Sequence, residues 1–569
     1  MLGGSRQARW FAGILAAVTF AAALRFWFVC DDAFITFRFA RNWAMGRGLV
    51  FNPGEFPPVE GYSDFLWLVV AAILERVMVS PAFVLPWVSA IAAVVLVLRV
   101  FAVARGPLAL GTVPAFVAAL TLALAPAVGV WATSGLETMV FALFVFLLAE
   151  GLLLREPAGG WAIPASLAVG ITLIRTEGVA WVAVVAAIVV LARSIEGRPL
   201  RPTLVHLGRI LLPVAVCYAL YVGWRFWYYG TFVPNTALVK VSFGPRLLWR
   251  GAEYVLLFWL TCLVPFVSLL FGRNLLRSDR RGVWIAFALL AVAFPAYSVA
   301  VGGDFMPFGR LIVPSLPFGA LLLAGGLSAI ARTSRPRTVW AIGAWLSVVS
   351  VMPSFDMYVI PNVIRRQLHF RLSDKEFLSE LNRWANQKDN TDGFRKRGLA
   401  LSQVAREGDA VVAAAVGAIG YYSDLYVYDQ HGLVTKEVAY RELPAGPLDQ
   451  SPGHDKHVEP WYFAKYEPRF LYARAVEGKL AAGRMKDSLD QWQVPYGLMD
   501  RWVPDWVEVN LPKQQERSFL FMVRMREPDE DPALLWNEFP KRRRELNAEL
   551  RAEYADVSDE AAAAASAGG

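Results

Sequence analysis

The stretch "CDDAFITFRFARNWAMGRGLVFNPGEFPPVEGYSDFLW", residues 30–67, sets two adjacent carboxylates, Asp31 and Asp32, directly after an apolar run long enough to cross a bilayer. Carboxylates are costly to desolvate at such a boundary. The chain around them is oily: of 569 residues, 56% are hydrophobic and 18% charged, with a mean hydropathy of +0.41. That balance exceeds what one water-soluble core needs and reads as a polytopic membrane protein. The long apolar runs end near residue 355, and 356–569 reads as an ordinary globular sequence. We therefore expect a membrane domain over 1–355, an α/β domain over 356–555 and a disordered low-complexity tail over 556–569.

Spans are expected near 10–29, 83–104, 112–131, 138–154, 160–174, 178–193, 207–225, 250–272, 283–301, 310–331 and 338–355, eleven crossings if 65–79 stays out of the membrane. The first run is read as a retained anchor because further spans follow it. With the N-terminus in the cytoplasm, the cytoplasmic segments hold fifteen arginines against seven basic residues in the outer loops, which fits the positive-inside bias. Eleven crossings then put the C-terminal domain outside the cell's inner membrane. The net charge of +8 is accounted for by this sorting and gives no reason to expect nucleic acid. Three cysteines, Cys30, Cys217 and Cys262, supply neither a disulfide framework nor a CxxC metal site.

In that register the polar motifs of the membrane half all fall on the outer face: "CDDAF" at 30–34, "TSGLET" at 133–138, "IRTEGV" at 174–179, "YYGTFVPNTALVK" at 228–240 and "GGDFMPFGR" at 302–310. Each has a plain structural reading. Asp31 or Asp32 caps the helix starting "AFITFRFARNWA"; Arg175 and Glu177 form an ion pair and Glu137 caps a helix; Asp304 and Arg310 bridge a turn, or Arg310 snorkels; Asn235 ends a turn. One cap needs only one aspartate, however. Two neighbouring carboxylates raise each other's proton affinity and at a low-dielectric boundary supply either a general base or a site for a divalent cation such as Mg, Mn or Ca.

Taken together these loops describe a polar site roofing an oily domain, suited to a reaction between a lipid-borne phosphate ester and a water-borne acceptor. A sugar carried on a polyprenyl phosphate fits: Arg175 and Arg310 hold the phosphate, a carboxylate of the Asp31–Asp32 pair takes the acceptor proton, and Glu137, Glu177, Asp304 and Asn235 complete the donor site. No Gly-rich nucleotide cradle argues for a soluble nucleotide-sugar donor.

The 30–67 stretch resembles the first outer loop of the polytopic GT-C glycosyltransferases, in particular the branch with the mycobacterial terminal β-arabinofuranosyltransferase, whose relatives also carry a flagellar motor control label. "GLE" at 135–137, "RTEG" at 175–178, "PNT" at 234–236, "GGDFMPFGRLIVPSLP" at 302–317, "GAIGYYSDLYVYDQHGL" at 417–433 and "PGHDK" at 452–456 are similar to later motifs of that branch. The resemblance implies a polyprenyl-phosphate sugar donor, a catalytic Asp at Asp31 or Asp32, and an envelope glycan or glycolipid acceptor shared with the C-terminal domain. It leaves the sugar, arabinofuranose among the candidates, and the stereochemistry open.

In the C-terminal part, "DAVVAAAVGAIGYYSDLYVYD" reads as strand, Gly-containing turn and strand, while "SDKEFLSELNRWANQ" and "LLWNEFPKRRRELNAELRAEYAD" have helical spacing. Tyr421, Tyr422, His431 and His454 are the candidate acceptor-binding residues. A zinc site among His431, His454 and His457 matches no familiar ligand spacing. A transporter would carry ionisable residues at mid-membrane depth, where these spans are nearly uncharged. A non-catalytic envelope or flagellar-motor protein would need the outer domain but not the paired acids.

Overall fold

The computed structural model describes residues 6–156, 160–240, 244–263, 267–268, 278–368, 377–442, 452–477, 501–511 and 518–525. Among these, seven helices are long and apolar enough to cross a membrane: Arg6–Arg25 (α1), Pro81–Arg105 (α4), Gly178–Ile195 (α9), Leu200–Tyr229 (α10), Arg281–Ala300 (α13), and the stretches Val313–Thr333 and Arg337–Phe355. Three shorter apolar helices, Thr112–Leu124 (α5), Thr138–Leu154 (α7) and Ala162–Ile174 (α8), join them. These ten follow ten of the eleven expected spans; the other, 250–272, begins as Pro245–Cys262 (α12) and its far end lies mostly outside the described residues. This is a polytopic helical membrane protein.

Local chemistry sets the breaks. Pro126 disfavours the α region for the residue before it, and Ala125 accordingly turns extended (φ −65°, ψ 120°), so the span expected over 112–131 is divided into α5 and the short helix Pro126–Trp131 (α6). α10 ends on Gly230 in the left-handed region (φ 70°), the usual glycine helix stop. Within spans that the sequence reads as nearly uncharged, Arg99 of α4 and Glu150 of α7 form an ion pair, six residues from Arg105 at the end of α4.

Asp31–Ala44 (α2) and Phe65–Arg76 (α3) pack on each other at one end of the bundle. Burial of most of α2, including Phe34, Phe37 and Phe39, follows from its having α3 on one side and the C-terminal region on another. The Ala410–Ala413 strand (β1) pairs in parallel with Tyr426–Asp429 (β2) and touches Phe470–Glu477 (β3); Trp502–Val509 (β4) and Ser518–Met525 (β5) complete a sheet of order β2-β1-β3-β5-β4. A helix, Gly417–Ser423, joins β1 to β2, where the sequence reads as a simple turn. Parallel neighbours need such a crossover, whereas a turn makes only antiparallel ones. Helix Glu380–Val404 opens with Ser379, whose hydroxyl accepts the Asn382 N–H at 3.3 Å. The expected helix at 534–556 and the tail at 556–569 lie outside the described residues.

The C-terminal region is fastened to the membrane half by buried side chains bonded to main-chain groups and by a side-chain ion pair. Arg38, 1% exposed, donates its Nε to the Phe51 carbonyl at 2.7 Å and its terminal nitrogens to the carbonyls of Gly420 and Leu425. Asn52 exchanges two 3.0 Å bonds with the Val427 backbone. Arg250 of α12 makes a two-pronged, buried pair with Asp455 at 2.6 and 2.9 Å.

Candidate functional site

Two cavities meet at the start of α2. The first, about 260 Å³, draws on all five polar motifs: Asp32, Glu137, Arg175 and Glu177, Thr236, and Asp304 and Arg310. The second, about 310 Å³, lies between the same helix end and the C-terminal region. Asp32 is the titratable side chain that lines both.

The adjacent aspartates part company here. Consecutive residues at a helix start point about 100° apart, and the Asp31 carboxylate turns to the C-terminal region, where it accepts the N–H of Gly417 at 3.1 Å and of Ala418 at 2.8 Å. Gly417 permits this: a Cβ there would stand 2.0 Å from the Asp31 carbonyl oxygen. Burial pushes the Asp31 carboxyl up to about 6, against the pull of the Ala418 N–H and with the nearby Asp32 charge adding to the rise. Asp32 instead stands 3.8 Å from a terminal nitrogen of Arg310.

Arg310 is aimed by Asp304, which accepts its Nε at 2.8 Å. The loop between them turns on Gly309 (φ +66°), where a side chain would also press on Phe258. Arg175 follows α8 in extended backbone and bonds Glu177 through Nε at 2.7 Å and Glu137 through a terminal nitrogen at 2.6 Å. Both arginines are thus held in place by carboxylates before any ligand arrives. The plain readings of these ion pairs are correct as geometry, and the pairs also wall one cavity.

Asp64 is a member of the first cavity that sequence reasoning left unassigned. It receives the Thr36 hydroxyl on both carboxylate oxygens, at 2.8 and 3.0 Å. Burial, and after it the Glu137 charge, holds its carboxyl well above the usual range. The signal lay inside the opening stretch, in "GYSDFLW", where an aspartate precedes an apolar helix and invites the reading of a cap; its side chain makes no capping bond.

The other expected residues divide. His431 and His454 line the second cavity. Asn235 does not face the first cavity: its amide donates to the carbonyls of Gly432 (2.6 Å) and Leu433 (3.0 Å), and the next residue, Thr236, takes the lining position. Tyr421 and Tyr422 line neither cavity. Tyr421 is buried against Phe34 and Arg41 and donates its hydroxyl to Glu75 at 2.5 Å, and Tyr422 packs on Phe34. Their place is in the contact between the two halves.

Both Asp31 oxygens accept backbone N–H groups, and Asp32 turns toward Arg310. Among the described residues no cluster of three or more His, Cys, Asp or Glu is arranged to hold a metal ion. His431 packs its ring on His454 and His457, with centroids 4.7 and 4.9 Å away.

The fold is similar to that of solved structures of ArnT. The chain superposes on ArnT from Cupriavidus metallidurans bound to undecaprenyl phosphate with a TM-score of 0.52, at 11% identity over 90% of this chain and 97% of that one. The apo form of the same protein gives 0.51, at 12% identity over 91% and 98%. In sequence the chain is similar to the terminal β-(1→2)-arabinofuranosyltransferase of Mycobacterium tuberculosis, 29% identical over 400 residues, a match spanning 60% of this chain and 61% of the relative. Residues 381–521 match a family described as a domain of unknown function (DUF8728). The resemblance read from the first outer loop is the one these comparisons return.

Proposed function

We propose that this protein is an integral membrane glycosyltransferase that moves a sugar from a polyprenyl-phosphate donor to a hydroxyl of a cell-envelope glycan or glycolipid, on the outer face of the inner membrane. One observation carries the reading: Asp32 and Arg310 stand 3.8 Å apart in a single cavity that also holds Arg175, at the mouth of an apolar helical bundle. The pairing supplies both requirements of the transfer. The acceptor hydroxyl loses its proton to the Asp32 carboxylate as its oxygen bonds to the anomeric carbon. The bond from that carbon to the phosphate oxygen breaks, and the departing polyprenyl phosphate carries the electron pair into the field of Arg310 and Arg175.

The lipid bound to ArnT supports a lipid phosphate as the leaving group, and the named activity of the mycobacterial relative favours arabinofuranose as the sugar. Asp31 serves as an anchor rather than a second base.

The test is mass spectrometry of lipid co-purified with the full chain, paired with transfer assays on Asp32→Asn. A polyprenyl monophosphosugar bound to the wild type, with transfer lost in the variant while the lipid is retained, is the expected result. Full transfer by Asp32→Asn removes the proposed base.

A further inference from the structure

The second cavity has a different chemistry from the first. Among the described residues no lysine or arginine lines it, so its described walls offer a phosphate no cation. Two of its carboxyls are already committed: Asp31 to the N–H groups of Gly417 and Ala418, and Asp429 to those of His431 (2.8 Å) and Val434 (3.0 Å). Apart from Asp32, which it shares with the first cavity, and the two histidines, what remains on its walls is neutral. Gln387 and Asn390 bring amides, Thr391 a hydroxyl, and Phe305 and Phe394 apolar rings.

Two of these neutral groups are left unsatisfied. The Gln387 side-chain oxygen and the His431 Nδ1 are both buried with no hydrogen-bond partner. The other end of the Gln387 amide lies 3.1 Å from the Met306 sulfur, a weak acceptor, so turning the amide over still strands one end. Buried polar atoms without partners are rare and costly, on the order of 1–3 kcal/mol each. Two of them, on different elements and lining the same cavity, point to a ligand that supplies the missing bonds. Burial brings the His431 imidazole down to about 4, so it is neutral and its ring nitrogen can accept a hydroxyl hydrogen.

Neutral hydrogen-bonding groups set among aromatic rings, with no cation, suit the hydroxyls and C–H faces of an uncharged sugar. The cavity, at about 310 Å³, is at the small end of ligand-sized pockets. We propose that this second cavity is the acceptor site, that it takes the terminal residues of a neutral glycan, and that Gln387 and His431 bind its hydroxyls. The proposal rests on the transferase reading for its role and adds the acceptor's place, its charge class and two specificity residues. Asp32, at the junction of the cavities, is then within reach of the hydroxyl that reacts.

The experiment uses the full chain in detergent with two probes: an arabinofuranosyl oligosaccharide followed by ligand-observed NMR, and undecaprenyl phosphate followed by native mass spectrometry. Gln387→Met and His431→Phe are each expected to weaken oligosaccharide binding at least tenfold while retaining the lipid phosphate. If His431→Phe fails to fold, Gln387→Met decides, since it replaces a half-buried side chain by one of similar length. A wild type that binds no oligosaccharide, or variants that bind it undiminished, overturn the assignment. Oligosaccharide binding sensitive to both substitutions, in a protein that holds no lipid phosphate, supports the cavity assignment and removes the transferase reading beneath it.

Discussion

Asp31 and Asp32 are neighbours in the chain with separate tasks: Asp31 accepts two backbone N–H groups from Gly417 and Ala418, while Asp32 faces Arg310 across 3.8 Å. Their difference in environment gives the first prediction. Asp32→Asn should lower the rate of transfer by about 10²–10⁴-fold, the usual worth of a general base. Asp31→Asn keeps a carbonyl that can accept one of the two N–H groups, so it should retain far more activity and lose mainly stability. Equal losses of rate in the two variants, measured at matched amounts of folded protein, would contradict this division.

The Asp31 carboxyl also sets a pH dependence. It rises from an ordinary 3.8 to about 6 on folding, through burial first. The folded state therefore favours the protonated form, and this contribution, present below about pH 4, is lost as pH rises through 6. Asp31→Asn removes the titration. The melting temperature of the variant relative to wild type should thus shift in the variant's favour between pH 4 and pH 7; Asp429, also raised to about 6 by burial, is common to both proteins and cancels in the comparison. A parallel pair of curves would count against the assignment.

Gly417 admits the close approach that anchors Asp31. A methyl at that position would lie 2.0 Å from the Asp31 carbonyl oxygen, so Gly417→Ala must push the Gly417–Ser423 helix away from α2. The expected cost is about 1–3 kcal/mol, read as a lower thermal midpoint and faster proteolysis in the C-terminal region.

The Arg250–Asp455 pair is a buried bridge between the two halves, both side chains about 5% exposed. Removing one partner leaves a charge stranded away from water. Arg250→Met or Asp455→Leu alone should each cost about 3–5 kcal/mol, and the double substitution distinctly less than the sum. A strictly additive double mutant, measured by thermal unfolding, would show that the pair does not act as a unit.

Much of this was legible from residues alone. Apolar run length placed the spans, and the arginine bias grouped the polar motifs that line the first cavity. Asp304 and Arg310 could be paired because they share one short loop. The differences in placement have a common physical origin, since a sequence gives the position of a residue and not the direction of its side chain. Asn235 and Thr236 are adjacent, yet the amide is bound to the Gly432 and Leu433 carbonyls and the hydroxyl residue lines the cavity. Tyr421 and Tyr422 had the chemistry of a sugar platform but are consumed in packing on α2. Asp64 was hidden by standing where a helix cap is expected, and Gln387 by sitting in a charged helix with no motif around it. Contacts between distant segments, such as Asp31 with Gly417, have no local signature at all.

That last contact carries a consequence for biogenesis. The backbone groups that receive the Asp31 carboxylate lie 386 and 387 residues further along the chain. At roughly 5–20 residues per second of synthesis, they leave the ribosome about 20–80 s after the first loop has done so. Through that interval the earliest-made part of the pocket waits in the bilayer without its counterpart, and the pocket is complete only once the chain has been made through Ala418 and both segments stand on the same side.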